Sequence, residues 1–304
     1  MVTCHKKPMR LSLNINIWEL RHARPLHRGT LLPYARLPSI KMTALRFENK
    51  VALVTGAASG IGLGATLKLS EEGAALVCLD MDSEGLAALE AQIASSGRKC
   101  KTIAGNVADL STIDKAIEQA ISLFGGLDLV VNNAGIAGPL KKFDAADPAE
   151  FDNMVAINLR SAWYGTKAAH APMVARGGGA IVNVASMAGL RPNRYQSLYG
   201  MTKAGMISLT QHAAMDFAVD NIRVNCLCPG PVETPIFEKM RDVIGDKAYE
   251  TTRGRVQRRT VMNRYGTVDE QAAAISFLLS DEASFMTGVA MPVDGGWSIS
   301  DGHA

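Results

Sequence analysis

The chain has 304 residues, of which 47% are apolar and 20% charged, so one large domain with a sizeable core is expected. No apolar run reaches about 18 residues, so no membrane span is predicted. The net charge of +3 hides an uneven distribution: residues 1–41 hold eight basic residues and one acid, whereas the rest holds 24 basic and 28 acidic residues. The mildly acidic remainder gives no support for nucleic-acid binding.

The first 45 residues are predicted to lie apart from the fold. They are rich in arginine, contain four prolines and lack the long apolar core of a secretory signal. In part they resemble a mitochondrial presequence, so mitochondrial import remains an alternative if the segment is native. We favour a disordered or non-native leader over residues 1–45, followed by a single domain over residues 46–304.

The number and spacing of the cysteines indicate the redox compartment and whether a metal site is expected. The number of cysteines is odd, and their spacing is not that of a zinc site, so no metal is predicted. The pattern favours a reducing compartment, which we take to be the cytoplasm. The five cysteines are Cys4, Cys78, Cys100, Cys226 and Cys228.

A strand, a glycine-rich turn and a helix follow one another at the start of the domain. Residues 50–56 form an apolar run that ends in glycine, which is typical of a buried parallel strand. A helix is predicted at residues 63–72. The glycines between them let the backbone approach a pyrophosphate, and the helix N-terminus offers free N–H groups. The predicted cofactor contacts of this turn are Gly56, Ser59, Gly60, Ile61 and Gly62.

A second predicted strand, residues 74–80, ends in Asp80, which lies 24 residues after Gly56. A carboxylate at this place can accept hydrogen bonds from the adenosine ribose and repels a 2′-phosphate. The next charged residue, Asp82, is also negative, so no cation is placed to hold NADP. The sequence therefore predicts NAD as the cofactor. The alternative is that Asp80 only caps the following helix.

Two further strands are predicted at residues 100–104 and 127–131. Strands that alternate with helices of this length indicate βαβ units in a parallel sheet. The residues after the first are expected near the adenine, and the small residues after the second let the chain lie beside the cofactor. These predicted cofactor contacts are Asn106, Val107, Asn133, Ala134 and Gly135.

A serine, a tyrosine and a lysine follow the apolar run at residues 180–185. Tyr199 comes 13 positions after Ser186, and Lys203 four positions after Tyr199, within a predicted helix. Positions four apart share one helix face, so the ammonium should lie near the phenol and lower its pKa below about 10. Such a phenol is a usable general acid or base. The alternative is ordinary packing of a tyrosine under a lysine stem.

A long helix is predicted from Pro148 to about Arg176, with Asn158 in its apolar stretch. Asn158 is interpreted either as a buried amide satisfied by the backbone or as a group that holds a water behind Lys203.

The sixth strand, residues 222–228, leads into a segment expected to meet the nicotinamide end of the cofactor through Pro229, Gly230, Val232 and Thr234. Residues 232–266 are predicted to form a substrate lid. A cluster of four arginines within it could meet an anionic substrate, but a solvated or subunit-contact face is favoured. These arginines are Arg253, Arg255, Arg258 and Arg259.

The motifs, in this order, resemble the set of the short-chain dehydrogenase/reductase family over about residues 46–300. The matching segments are Thr55–Gly62, Asn132–Gly135, Asn158, Ser186, Tyr199, Lys203, Pro229–Gly230 and Asp294–Gly296. The resemblance implies an α/β fold: a doubly wound, Rossmann-type, seven-stranded parallel sheet with helices on both faces. It also implies a homotetramer, or a homodimer, built partly through the long helices.

The resemblance further implies a catalytic tetrad of Asn158, Ser186, Tyr199 and Lys203. In it the serine binds the substrate oxygen, the tyrosine exchanges the proton, and the lysine tunes the tyrosine and holds the nicotinamide ribose. The asparagine positions a water. Asn106 stands where many relatives have Asp. Small residues are common in the family at the positions of Arg191, Asn193 and Arg194, so a more polar pocket mouth is expected.

The sequence thus predicts an NAD(H)-dependent oxidoreductase that interconverts a secondary alcohol and a ketone. Its expected partner is the small-molecule substrate, with no nucleic acid and no membrane. A 3-oxoacyl thioester reductase and a non-catalytic NAD(H)-binding protein are the alternatives, because a fold alone does not fix a function.

Overall fold

The computed structural model describes residues 45–234, 241 and 245–301. The predicted leader lies outside the described residues except for Leu45, and so do residues 235–240 and 242–244 of the predicted lid. Within the described part of the chain, no helix is both long and apolar enough to cross a bilayer.

Seven parallel strands form one sheet in the order β3-β2-β1-β4-β5-β6-β7. The chain builds outward from β1 to β3 and then returns to place β4 on the other side of β1. This reversal opens a crevice at the carboxyl ends of β1 and β4, where open α/β sheets bind ligands. The strands are β1 (Val51–Thr55), β2 (Ala75–Asp80), β3 (Cys100–Ala104), β4 (Leu129–Asn132), β5 (Gly179–Val184), β6 (Ile222–Pro229) and β7 (Ala290–Val293).

Helices cover both faces of the sheet, which confirms the predicted fold class. Successive residues of β1 show the division, because Ala52 and Val54 pack against one set of helices whereas Val51 and Leu53 pack against the other. Helices α1, α2 and α9 lie on the first face, and α3, α5 and α7 on the second. The helices are α1 (Gly60–Glu71), α2 (Ser83–Ser95), α3 (Leu110–Phe124), α4 (Pro148–Val155), α5 (Ser161–Ala175), α6 (Met187–Leu190), α7 (Ser197–Phe217), α8 (Asp246–Arg258) and α9 (Val268–Leu279).

The long helix predicted from Pro148 to Arg176 is interrupted. Helices α4 and α5 are joined by a π-helical segment, Ala156–Arg160, whose wider turn contains Asn158. Such segments are rare and frequently occur at functional sites. Helical structure is present over the predicted span, from Pro148 to Ala175, but its π-helical segment was not predicted. Asn158 bonds there to a distant part of the backbone, a contact that local sequence does not reveal.

Candidate active site

The glycine turn leaves room for a phosphate group at the start of α1. Gly56 and Gly60 adopt the left-handed conformation, with φ of 66° and 52°. A Cβ atom on Gly62 would lie 1.9 Å from the Gly56 carbonyl oxygen, so only glycine fits there. Ser59 precedes α1 but makes no side-chain hydrogen bond to the helix. Backbone N–H groups at the helix start are therefore not capped by Ser59, which suits an anion.

Two side chains hold the turn from behind. The Asn133 amide donates to the carbonyl oxygens of Thr55 and Gly56, at 3.0 Å each. The Thr55 hydroxyl accepts from the backbone N–H groups of Asn133 and Ala134, at 3.0 and 3.1 Å. Asn133 thus supports the turn with its side chain. Thr55 was missed as a site residue, although its place directly before the first glycine is a usable signal.

Asp80 lies against the same turn. Its Oδ2 accepts from the backbone N–H of Ala58 at 2.9 Å, and its Oδ1 from that of Asp82 at 3.0 Å. Asp82, not Asp80, caps α2, because its side chain accepts from Gly85 N–H at 2.9 Å. The helix-cap interpretation of Asp80 is therefore wrong. Each Asp80 oxygen keeps a lone pair that can accept from a ribose hydroxyl.

The residues after β3 lie beside Asp80, since the backbone N–H of Gly105 donates to the Asp80 carbonyl at 2.8 Å. The Asn106 Oδ1 accepts from Ala108 N–H at 2.9 Å, and its Nδ2 makes no hydrogen bond to the described residues. Val107 is 6% exposed and packs into the core. The Asn106 amide nitrogen is thus available to a base, whereas the Val107 side chain is taken up by packing.

Asn158 is fully buried and ties the loop after β4 to α7. Its Oδ1 accepts from the Ile136 N–H, and its Nδ2 donates to the Ile136 carbonyl, both at 2.8 Å. Nδ2 also contacts the Thr202 hydroxyl at 3.3 Å. The structure therefore fits the backbone-satisfied interpretation of Asn158. Only a lone pair on Oδ1 is left for a water, so water holding stays a prediction.

Lys203 lies beneath the same loop and is 4% exposed. Its Nζ donates to the Val184 carbonyl at 2.8 Å, at the end of β5, and lies 5.7 Å from the centre of the Tyr199 ring. Burial lowers the pKa of Lys203 to about 8. The ammonium and the phenol therefore share one side of α7, as the helix spacing predicted.

The expected lowering of the Tyr199 pKa by Lys203 was wrong. Burial raises the pKa of Tyr199, and the hydrogen bond from Ser186 opposes this with a smaller effect. Desolvation dominates because a buried phenolate loses its hydration, and the Lys203 ammonium donates to Val184 instead. Ser186 also accepts from the Ala188 N–H at 3.1 Å, which fixes its hydroxyl at the start of α6.

The segment after β6 closes the site from the other side. A Cβ atom on Gly230 would lie 2.6 Å from the Asp294 Cα, so this glycine allows close contact with the end of β7. Val232 is 5% exposed and forms a backbone bridge with Gly266. The Thr234 methyl group lies 3.5 Å from the position of a Cβ on Gly60. Thr234 therefore stands over the start of α1.

Comparison with known proteins agrees with this geometry. Residues 56–298 match the family described as enoyl-(acyl carrier protein) reductase. Levodione reductase of Leifsonia aquatica is 34% identical over 84% of this chain and 96% of its own length. The chain belongs to the short-chain dehydrogenase/reductase family. It is an oxidoreductase.

Other members of this family are equally similar. The 3-oxoacyl-(acyl-carrier-protein) reductase FabG of Thermotoga maritima is 36% identical over 84% of this chain and 100% of its own. The crystal structure of NAD+-bound xylitol dehydrogenase shares 33% identity with a TM-score of 0.78, covering 83% of this chain and 100% of the other. The relatives thus include both alcohol dehydrogenases and an acyl thioester reductase.

Two of the four arginines singled out in the sequence, Arg253 and Arg259, make separate contacts in the structure. Arg253 pairs with Glu233 at 2.5 Å and stacks 5.0 Å over the Tyr265 ring, and Arg259 stacks 4.9 Å over Trp297. These separate contacts are consistent with the favoured interpretation, in which the arginines form a solvated or subunit-contact face.

Arg191 was expected to make the pocket mouth more polar, but its guanidinium is bound to backbone carbonyls near the end of the chain. Its Nη1 donates to the carbonyls of Trp297 and Ser298 at 3.1 and 2.8 Å, and to that of Ser300 at 3.4 Å. No local pattern signals this contact, because it joins residues more than 100 positions apart in the sequence.

Proposed function

We propose that the chain is an NAD(H)-dependent oxidoreductase that interconverts a secondary alcohol and a ketone through Asn158, Ser186, Tyr199 and Lys203. One observation carries the proposal: the buried Lys203 Nζ lies 5.7 Å from the centre of the Tyr199 ring and donates to the carbonyl of Val184, two residues before Ser186. This group stands at the carboxyl edge of the sheet, beside the glycine turn. A shared binding place for a substrate oxygen and a cofactor is what such a reaction needs.

Each side chain has a distinct part. The Ser186 hydroxyl donates to the substrate oxygen and orients it toward Tyr199. In oxidation the Tyr199 phenolate takes the hydroxyl proton, and in reduction the phenol returns it. Lys203 donates to the nicotinamide ribose. Asn158 acts by fixing the loop after β4 through its two hydrogen bonds to Ile136.

The bound nicotinamide supplies the hydride acceptor or donor. The glycine turn, with Gly56, Gly60 and Gly62, would hold its pyrophosphate, and Asn106 the adenine. The segment containing Val232 and Thr234 would cover its other end.

The preference for NAD over NADP rests on Asp80. Its carboxylate is tied to the glycine turn through Ala58 N–H, which directs negative charge toward the adenosine ribose. Hydroxyl groups at that ribose can donate to it, whereas a 2′-phosphate is repelled. Assembly into a homotetramer or homodimer and a cytoplasmic location stay predictions.

A 3-oxoacyl thioester reductase is the second candidate, and the 36% identity to FabG favours it. Asp80 counts against it, because that reaction usually draws on NADPH. The two candidates are separated by assaying NADH formation from a panel of secondary alcohols and NAD(P)H consumption with 3-oxoacyl thioesters. Alcohol oxidation with NAD supports the proposal. Thioester reduction with NADPH and no alcohol oxidation would overturn it.

A further inference from the structure

Two segments border the substrate side of the site, and we call them the mouth: residues 140–143 after β4, and residues 190–195 between Ser186 and Tyr199. They are joined directly. The backbone N–H of Lys141 donates to the Tyr195 carbonyl at 3.0 Å, and Lys141 forms a parallel bridge with Gln196. The mouth therefore joins the loop after β4 to the segment that connects Ser186 and Tyr199.

Large apolar side chains are exposed around the mouth. Leu140 is 55% exposed, Phe143 75%, Leu190 41% and Tyr195 51%. These four side chains lie on two joined segments, and exposed apolar groups on one surface mark binding sites more often than groups scattered singly. This surface fits an apolar body such as a ring or a short chain.

Backbone strain is also found there. Tyr195 has φ of 66°, in the left-handed region that a bulky side chain rarely adopts. Its carbonyl is held by Lys141 N–H, so the surrounding structure maintains the conformation. Strain of this kind persists where the placement of a side chain matters to function.

The cations of the mouth fall into two classes. Lys141 is paired with Glu150 at 2.6 Å, and Arg191 is bound to the carbonyls near the end of the chain. Lys142 and Arg194, by contrast, are exposed and make no side-chain hydrogen bond or ion pair with the described residues. Asp144 lies two positions from Lys142 and can offset its charge, so Arg194 is the stronger candidate.

We propose that the substrate carries an anionic group, a carboxylate or a sulfonate, on an apolar body next to the reacting secondary alcohol or ketone. Arg194, with Lys142, binds the anion, because an arginine fork matches its paired oxygens. Leu140, Phe143 and Tyr195 contact the apolar body. The inference rests on the proposed function, since it names the substrate class of that reaction.

The test compares three alcohols of one shape: 1-phenylethanol, its para-carboxylate and its para-trimethylammonium analogue. With the full chain and NAD, kcat/KM should be highest for the carboxylate and lowest for the cation. The double variant Lys142→Gln with Arg194→Gln should reduce the preference for the carboxylate over the neutral alcohol by about 3- to 10-fold, as expected for exposed ion pairs. Turnover of the neutral alcohol should not change. Lys115→Gln, at an exposed position of α3, is the matched control and should leave the turnover of all three alcohols unaffected.

Calorimetry of the matching ketones keeps this inference separate from the proposed function. Tighter binding of the acetophenone carboxylate than of acetophenone, lost in the double variant, supports the inference. Equal binding of the two ketones, or an unchanged preference in the double variant, overturns it. Failure of every alcohol and ketone to turn over would instead contradict the proposed function. A change of oligomeric state in the double variant would assign the mouth to a contact between copies and also overturn the inference.

Discussion

The floor of the site and its mouth are built in opposite ways. The floor, formed by the glycine turn with Asn158, Ser186, Tyr199 and Lys203, is held by short hydrogen bonds, and its Asn158 and Lys203 side chains are buried. Among the described residues, one buried side-chain atom has no hydrogen-bond partner. It is Gln271 Oε1, which belongs to α9 and not to the floor. The mouth is exposed, apolar and cationic, with unpaired charge at Lys142 and Arg194.

The difference separates chemistry from substrate choice. Burial fixes the pKa values and positions of the floor, so changes there should abolish or reshape the reaction. Substitutions of the exposed side chains in the mouth should change the free energy of unfolding little, because exposed groups contribute little to it. Substitutions in the floor should therefore have large effects on every substrate, and those in the mouth small effects that depend on substrate charge.

Gly62→Ala should have the largest effect on cofactor binding. Its new methyl group would lie 1.9 Å from the Gly56 carbonyl oxygen, so the turn must shift. Overpacking of this kind costs about 1–3 kcal/mol, and we expect NAD binding to weaken by about 10- to 100-fold. Calorimetric titration with NAD measures it.

Gly254→Ala, within α8, is the matched control. Its methyl group meets only the flexible Arg258 side chain, at 3.3 Å, and alanine favours a helix by about 0.5–1 kcal/mol over glycine. NAD binding should be retained. If NAD affinity fell equally in Gly62→Ala and Gly254→Ala, the glycine turn would not be the NAD-binding element.

Lys203→Met should change how stability depends on pH. The folded state lowers the Lys203 pKa from 10.5 to about 8, so the unfolded chain binds the proton more tightly. Below pH 8 the free energy of unfolding is therefore about 3 kcal/mol lower than at high pH, where Lys203 is neutral. It recovers as the pH rises from 8 to 10.5. The variant lacks this recovery.

Denaturant unfolding at about pH 7 and pH 10 tests this. The wild type should gain about 2 kcal/mol relative to Lys203→Met between the two conditions. The exposed Lys115→Met, as control, should follow the wild type. If the free energy of unfolding of the wild type and of Lys203→Met changed equally with pH, burial of a charged Lys203 would not destabilise the fold. That result would contradict the account.

Asp80→Ser should have a smaller effect, seen in the choice between NAD and NADP. Removing the carboxylate removes the repulsion of a 2′-phosphate, and we expect the ratio of kcat/KM for NAD over NADP to fall by about 10-fold, equivalent to about 1.4 kcal/mol. Asp82→Ser is the control, because Asp82 caps α2 and does not hold the turn. An unchanged ratio in Asp80→Ser would refute the account of selectivity. The mouth variants described above are expected to have the smallest effects.

Much of this fold could be predicted from the sequence, because its strands are buried on both faces and read as apolar runs between turn signals. The glycine turn and the pairing of Tyr199 with Lys203 depend on local spacing and were also predictable. The π-helical segment was not, since it accompanies bonds between Asn158 and Ile136, 22 residues apart. The direction of the Tyr199 pKa shift was missed for a similar reason, because it depends on burial by the whole fold.

The central claim is that Tyr199 carries the proton between substrate and solvent. Tyr199→Phe removes only the hydroxyl group, so NADH should bind the variant with nearly the affinity of the wild type. Turnover of a secondary alcohol should fall by about 10²- to 10⁴-fold at every pH, the usual contribution of a positioned acid or base. Turnover close to that of the wild type, with NADH binding retained, would contradict the account.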